Sequence, residues 1–246
     1  MREVTRFTGP YINPETGILF NLFNAKTSSE LKALEYKDTW RRRLELEKFP
    51  VNGVFDLQHL REIHYRLFQD VYPWAGQFRN VMMKKGATPF VEPPAFSFYG
   101  KRLEELVSAF KLPNEKVSDE VFAYAAAEVL ALINFIHPFR EGNGRTQRAF
   151  IDQIAKESNK TLSWRNVSEQ EHLRASIMSA NSGNGAAFLP VFQEILKPPL
   201  DGLSILDDGL YVTSSDENVE TSSFKPKADV AKSFATNKLI LPAQYS

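Results

Sequence analysis

Cysteine is absent from the 246-residue sequence, which excludes disulfide bonds and a cysteine nucleophile and fits a reducing compartment. The opening stretch, MREVTRFTGPYINPETG, lacks an apolar core of signal-peptide length, and no apolar run reaches the roughly 20 residues that a membrane helix needs. Net charge is also absent, because 30 basic residues balance 30 acidic ones. These absences predict a soluble cytosolic protein with no broad field for nucleic acid or membranes, so any anion site must be local.

The length suits one full domain with an appendage. Helical periodicity dominates residues 28–197, which predicts an all-α domain there and leaves residues 1–27 as an N-terminal extension. Residues 198–246 lose the helical period and are rich in Ser, Thr and Asp, as in a tail or the start of a further module.

Capping signals mark several helix starts. The candidate capping residues are Ser28 or Ser29, Asp56, Ser118, and Ser168 with Glu171 in a capping box. The first two helices look amphipathic, whereas VSDEVFAYAAAEVLALINFIH is apolar nearly all round and is therefore expected at the centre of the core. A last helix is expected near residues 186–196, ahead of two prolines.

One stretch, QFRNVMMKKGATPFVEPP from Gln77 to Pro94, breaks the helical pattern. Two short β-prone runs flank a Lys-Lys-Gly-Ala turn, which predicts a small β-hairpin. Pro89 lacks an N–H and so confines the second run to a sheet edge.

The run IHPFREGNGRTQRAF, residues 136–150, carries most of the chemistry. Pro138 disfavours a helical conformation at the residue before it, so the apolar helix should end near His137 and place the imidazole at the mouth of a loop. Phe139 should anchor that loop in the core. His137 is the only nearby general base.

The loop after Phe139 has the composition of a phosphate-binding segment. Gly142, Asn143 and Gly144 precede a new helix start, where backbone N–H groups can converge on one anion. Arg145 and Arg148 are three residues apart on that helix and can bind further phosphate oxygens.

Glu141 beside a phosphate site is a natural Mg²⁺ ligand, because this ion prefers one or two carboxylates together with phosphate oxygens. A lone histidine, arginine pair or glycine pair is usually structural. The whole pattern, however, should arise by chance in a chain of this length with a probability on the order of 10⁻⁸. The three other histidines lie on predicted helices, where packing or solvent exposure is expected, with no metal-ligand spacing: His59, His64 and His172.

HPFREGNGRTQR matches every fixed position in the signature of Fic domains, enzymes that mostly transfer AMP from ATP to protein hydroxyls. The segment FDLQHLREIHYRLFQDVYPWAGQFR, from Phe55 to Arg79, also resembles the amino-terminal Fic helix and the lead-in to the flap, so the resemblance covers residues 28–197. It is strongest to bacterial Fic toxins and secreted effectors. It implies a compact helical bundle with a β-hairpin flap over the active site, in the bacterial cytosol or, for a secreted effector, in the host cytosol.

The resemblance also implies residue roles. His137 would deprotonate the target hydroxyl, and Glu141 would hold Mg²⁺ on ATP. The anion hole would be formed by Gly142, Asn143 and Gly144. The β- and γ-phosphates would be bound by Arg145 and Arg148. A target protein would pair with the flap by β-strand addition, near Met82, Met83 and Lys84, although these three can equally be core or solvated residues.

The sequence leaves two alternatives to AMP transfer open. One is transfer of UMP, phosphocholine or phosphate by the same fold; some family variants carry a bulkier residue at the second loop glycine and transfer other groups, so Gly144 favours AMP. The other is a nucleotide-binding interaction module without catalysis, which intact His137 and Glu141 disfavour.

Many Fic enzymes are restrained by a glutamate in a (Ser/Thr)-x-x-x-Glu-(Gly/Asn) helix that pairs with the second motif arginine, here Arg148. Thr213, Glu217 and Asn218 fit those letters, but VTSSDENVETSS offers no apolar helix face. The resemblance therefore favours a separate small helical antitoxin whose glutamate would reach Arg148.

Overall fold

The computed structural model describes residues 9–85, 88–198, 219–220 and 228–236. Eight α-helices and three two-residue strands lie within these ranges. In chain order they are α1 (Ser28–Lys48), α2 (Leu57–Phe68), β1 (Lys84–Lys85), β2 (Thr88–Pro89), α3 (Phe96–Ala109), α4 (Asp119–Ile136), α5 (Asn143–Glu157), α6 (Glu169–Ser182), α7 (Leu189–Ile195), β3 (Val219–Glu220) and α8 (Ala228–Thr236).

Helix α4 is the centre of the bundle. It packs against α3, α5, α6 and α7, while α1 packs on α2 and α2 on α5. Its apolar side chains are buried nearly all round, as its sequence predicts. The position of α4 matters because its C-terminal end carries the His-Pro turn of the motif.

Three of the four predicted helix N-caps are confirmed. The side chain of Asp56 caps α2, Ser118 caps α4, and Ser168 forms a reciprocal capping box with Glu171 at α6. At α1 the prediction was wrong by one or two residues, because the Thr27 side chain accepts the N–H of Glu30. Local hydrogen bonding therefore determines where these helices begin.

Helix α1 differs from the expected amphipathic helix. Its buried residues include Glu35 and Thr39 as well as Leu31 and Leu46. Polar contacts of Glu35 and Thr39 with Arg145 of α5 explain this burial. Periodicity of apolar residues alone could not show it.

The hairpin segment forms an antiparallel pair of strands, each only two residues long. Lys84 lies opposite Pro89, and Lys85 lies opposite Thr88. On its other side β1 pairs antiparallel with β3, Lys84 opposite Glu220, which gives the order β2-β1-β3. Pro89 is accordingly on an edge strand, as expected.

Helix α8 lies in the segment that the sequence predicts to be a tail or a further module. It packs against α6 and buries Val230 and Phe234. The Phe234 ring stacks on Phe135 of α4 with 4.4 Å between centroids. The sequence reading missed this helix, as it missed α3. No helix in the described ranges has both the length and the apolar character needed to cross a membrane.

Candidate active site

The turn after α4 places His137. Helix α4 ends at Ile136, and His137 caps it in the left-handed conformation, with φ 47° and ψ 60°. A left-handed turn is uncommon for a residue with a side chain, and Pro138 helps to enforce it by disfavouring a further helical residue. The imidazole therefore leaves the helix at the start of the motif loop, as the sequence predicts.

The hairpin contacts His137 directly. The Phe90 ring, one residue after β2, stacks on the imidazole with 3.8 Å between centroids and 6° between planes. Both side chains are buried. The orientation of the imidazole is thus tied to the stem of the hairpin.

Asn143 fixes the shape of the motif loop. Its side-chain oxygen accepts the N–H of Phe139 at 3.0 Å, and its side-chain nitrogen donates to the carbonyl of Phe139 at 2.8 Å. Phe139 is fully buried, so it anchors the loop as expected. The Asn143 side chain thus acts on the loop backbone, and the backbone N–H groups of the first turn of α5 are the groups suited to an anion.

Gly142 is required by the geometry of this loop. It caps α5 with φ 81°, and a Cβ atom there would lie 2.3 Å from the Phe68 ring. Its N–H donates to Oε1 of Glu141 at 2.8 Å, and its carbonyl accepts the Thr146 hydroxyl at 2.9 Å. The close approach of the loop to α2 therefore excludes any larger residue.

His64 is a site residue that the sequence reading missed. Its Nδ1 accepts the N–H of Gly76 at 2.8 Å, so Nε2 carries the proton and donates to the carbonyl of Glu141 at 3.1 Å. The ring also stacks on Phe139 at 3.9 Å. Burial lowers the pKa of His64 to about 3, so the ring is neutral and supports the Glu141 turn by hydrogen bonding.

Arg145 is held by α1. Its guanidinium lies 2.5 Å from Oε1 of Glu35, donates to the hydroxyl of Thr39 at 3.3 Å and lies 3.7 Å from Oε1 of Glu141. It also lies over the Phe68 ring, 4.7 Å from the centroid. Burial opposes its charge, but the carboxylates of Glu35 and Glu141 outweigh burial and raise the pKa of Arg145.

Arg148 lies one turn further along α5 in different surroundings. It is buried, and burial, with the like charges of Arg43 and Arg145, lowers its pKa to about 10. Asp152 and Glu169 act in the opposite direction. Arg148 remains a cation at neutral pH, in a place where an added anion would be stabilised.

The predicted docking residues of the hairpin differ in exposure. Met82 and Lys84 are partly buried, whereas Met83 is 2% exposed and packs with Phe90. The carbonyl of Met83 accepts the N–H of Phe90 at 3.0 Å. A partner at this strand would therefore meet the backbone and the side chains of Met82 and Lys84 more than that of Met83.

A separate cavity of about 310 Å³ lies between α1 and α5. Trp40 and Trp164 line it together with Arg43 and Asp152, and none of residues 137–148 does. It is therefore distinct from the site around His137.

The model of the Fic/DOC family matches residues 54–155, which include α2, the hairpin, α4 and the motif loop. A probable protein adenylyltransferase Fic of Escherichia coli is 32% identical over 189 residues, covering 76% of this chain and 92% of that protein. The chain belongs to the Fic/DOC family. All Fic motif residues named in the sequence lie in the turn after α4 or on α5.

Another relative is much longer than the stretch that matches this chain. The protein adenylyltransferase VbhT of Bartonella schoenbuchensis is 36% identical over 179 residues, which cover 73% of this chain but only 37% of that protein. The chain thus spans little more than a third of the length of VbhT.

A solved structure confirms the Fic fold. The N-terminal Fic domain of a VirB-translocated Bep effector protein from Bartonella quintana, solved with bound ADP, has a TM-score of 0.71 and 27% identity. The match covers 78% of this chain and 96% of that one. The predicted helical bundle is therefore confirmed.

Proposed function

We propose that this chain is a protein adenylyltransferase, which transfers AMP from ATP to a serine, threonine or tyrosine hydroxyl of a target protein. One observation carries the proposal: His137 is held between Phe90 of the hairpin stem and the loop that leads to the N-terminus of α5. A general base therefore stands between a strand suited to a peptide and a helix end suited to a phosphate. The adenylyltransferase names of the relatives support the same reaction.

The reaction is an in-line displacement at the α-phosphorus of ATP. His137 accepts the proton of the target hydroxyl while the hydroxyl oxygen forms a bond to the α-phosphorus. The bond from that phosphorus to the bridging oxygen of the β-phosphate breaks, and pyrophosphate leaves. Because no covalent enzyme intermediate is needed, positioning and charge neutralisation supply most of the acceleration.

The N-terminal end of α5 neutralises the phosphates. The Gly142 N–H already donates to Glu141, so the backbone N–H groups of Asn143 and Gly144, in the first turn of α5, would bind the negative oxygens, favoured by the helix dipole. Arg148 binds the γ-phosphate as a planar donor, and Arg145 contributes charge at the β-phosphate while its pairing with Glu35 holds it in place.

Glu141 suits a magnesium ion bound to ATP. It is a single hard carboxylate beside the anion-binding helix end, and a bound Mg²⁺ would take its other ligands from phosphate oxygens and water. When bound, the ion would neutralise the charge of the phosphates. We expect Glu141→Ala to weaken Mg²⁺-dependent ATP binding and AMP transfer together, as measured by calorimetry at several Mg²⁺ concentrations; an unchanged Mg²⁺ dependence would remove Glu141 from this role.

The target docks on the hairpin by β-strand addition. The outer edge of β2 is a poor template because Pro89 has no N–H to donate, which leaves the outer edge of β1. That edge is paired with β3 of the same chain. A target strand would therefore have to displace β3 or extend the ladder beyond it.

Inhibition comes from a separate small helical partner whose glutamate reaches Arg148. Burial and neighbouring cations make Arg148 a favourable partner for an incoming carboxylate, which would compete with the γ-phosphate. Thr213, Glu217 and Asn218, which match the inhibitory letters, lie outside the described residues. We expect Glu217→Gly to leave self-modification with ATP unchanged; a large rise in AMP transfer would place the inhibitor in this chain.

The reaction takes place in the bacterial cytosol, or in a host cell if the protein is translocated as the Bep effector is.

Labelled nucleotides test the proposed reaction. The chain is incubated with cell extract and ATP labelled at the α- or the γ-phosphate, with His137→Ala in parallel. Protein label from the α-position only, absent in the variant, is the expected result. Label from the γ-position only would show phosphate transfer instead, and no label with retained ATP binding would indicate a binding module.

A further inference from the structure

Arg79 is a buried cation beside the active-site turn. It follows the loop after α2 and is 1% exposed, one of the largest fully buried side chains in the described part of the chain. A buried charge is costly unless its hydrogen bonds are satisfied. The hydrogen-bond partners of Arg79 therefore indicate its role.

Every side-chain hydrogen bond of Arg79 ends on a backbone carbonyl. Its Nε donates to the carbonyl of His137 at 2.8 Å, and Nη2 donates to that of Ile136 at 3.2 Å. Two further hydrogen bonds reach the flanks of the hairpin: Nη1 donates to the carbonyl of Val81 at 2.6 Å, and Nη2 also donates to that of Val91 at 2.5 Å. Within the described ranges Arg79 forms no ion pair with a carboxylate.

The end of α4 compensates the charge. The carbonyls of Ile136 and His137 lie at the negative end of the helix dipole and have no acceptor role within the helix. The Phe96 ring adds a cation–π contact, with the guanidinium carbon 5.0 Å from its centroid. The backbone N–H of Arg79 donates to the carbonyl of Pro138 at 2.8 Å, so the whole residue follows the turn.

We propose that Arg79 is a positioning residue for His137: its guanidinium locks the left-handed His-Pro turn to both stems of the hairpin. The base and the stacked Phe90 then keep one relative geometry as the hairpin receives a target strand. Val91 adds a second link, because its N–H donates to the carbonyl of Phe135 at 3.2 Å. The inference deepens the proposed function and rests on His137 as the base.

A lysine cannot reproduce this arrangement. Arg79→Lys keeps the charge but offers a point ammonium in place of the planar fork that reaches four carbonyls. We expect kcat for AMP transfer to fall about 10- to 100-fold while the Kd for a non-hydrolysable ATP analogue changes less than about 3-fold, since a small displacement of a catalytic group has effects of this size.

The matched control separates positioning from general loss of stability. Leu103→Ala removes a fully buried side chain of α3 that does not belong to the site, so it destabilises the fold without altering the His-Pro turn. Both variants are assayed at a temperature where each is folded by circular dichroism. An equal loss of kcat in Leu103→Ala would overturn the proposal.

A second readout does not depend on activity. The Cε1–Hε1 NMR signal of His137, assigned by its absence in His137→Ala, should shift in Arg79→Lys and stay in place in Leu103→Ala. Hydrogen exchange of the His137 amide, which donates to Ile133, should also quicken more in Arg79→Lys than in a Leu103→Ala variant of equal stability. An unchanged signal and unchanged exchange in Arg79→Lys would overturn the inference. If the unaltered chain transfers no AMP, the proposed function fails, while the NMR signal still decides whether Arg79 positions the ring.

Discussion

At the residue scale, His137 combines an unusual backbone conformation with a base in a buried position. His137→Ala should abolish AMP transfer but leave ATP binding within about 3-fold, because the base acts on the hydroxyl proton and the loop holds the nucleotide. Transfer is measured by α-phosphate label and binding by calorimetry. His172→Gln, on α6, is the matched control and should transfer AMP at the normal rate. Full activity of His137→Ala would refute its role as the base.

The buried His64 should make the free energy of unfolding depend on pH. The unfolded histidine binds a proton near pH 6.5, but burial lowers the pKa of the folded one to about 3. The stabilisation is therefore complete above pH 6.5 and is lost as the pH falls from 6.5 toward 3, because the unfolded state gains a proton that the folded state excludes. Urea unfolding between pH 7.5 and 4.5 should show this slope.

His64→Phe should flatten that slope while lowering the free energy of unfolding at pH 7.5, because Gly76 and Glu141 lose their hydrogen-bond partner. Leu67→Ala is the control on the same helix: it removes a buried apolar side chain, destabilises the fold and should keep the slope. An unaltered slope in His64→Phe would mean that other groups cause the acid sensitivity.

At the scale of elements, the hairpin is the region where backbone pairing matters most. Lys84→Pro removes a donor from β1, the central strand of the three, and should slow protein labelling more than it weakens ATP binding. Val219→Pro is the matched change on β3. It weakens only the pairing of β3 with β1. That variant should label proteins at least as fast as the unaltered chain. Equal losses of labelling and ATP binding in Lys84→Pro would indicate misfolding instead.

At the scale of the whole molecule, α8 extends the core beyond the predicted Fic domain. Phe234→Ala should lower the free energy of unfolding by about 3 kcal/mol, the cost of truncating a buried phenylalanine, because the Phe234 ring stacks on Phe135. Asp229→Ala on the exposed face of α8 should change it by less than about 0.5 kcal/mol. Both values come from urea unfolding curves, and equal stabilities would mean that α8 does not pack on α4 in solution.

The sequence by itself determined those features whose causes are close together along the chain. Asp56, Ser118 and Ser168 begin their helices through hydrogen bonds to residues three positions away. The end of α4 at His137 follows from the adjacent Pro138. The motif was readable for the same reason, since a helix start with its loop is one contiguous segment.

Tertiary structure alone decided which distant groups support that motif. Arg79 meets carbonyls 57 and 58 positions away, Arg145 meets Glu35 110 positions away, and His64 meets Glu141 77 positions away. A charged or polar residue in a helical pattern predicts solvent exposure, and only packing shows that a partner offsets its burial. Strand β3 and helix α8 were equally beyond the sequence, because a two-residue pairing and a nine-residue helix have little local preference and form against surfaces that the rest of the fold provides.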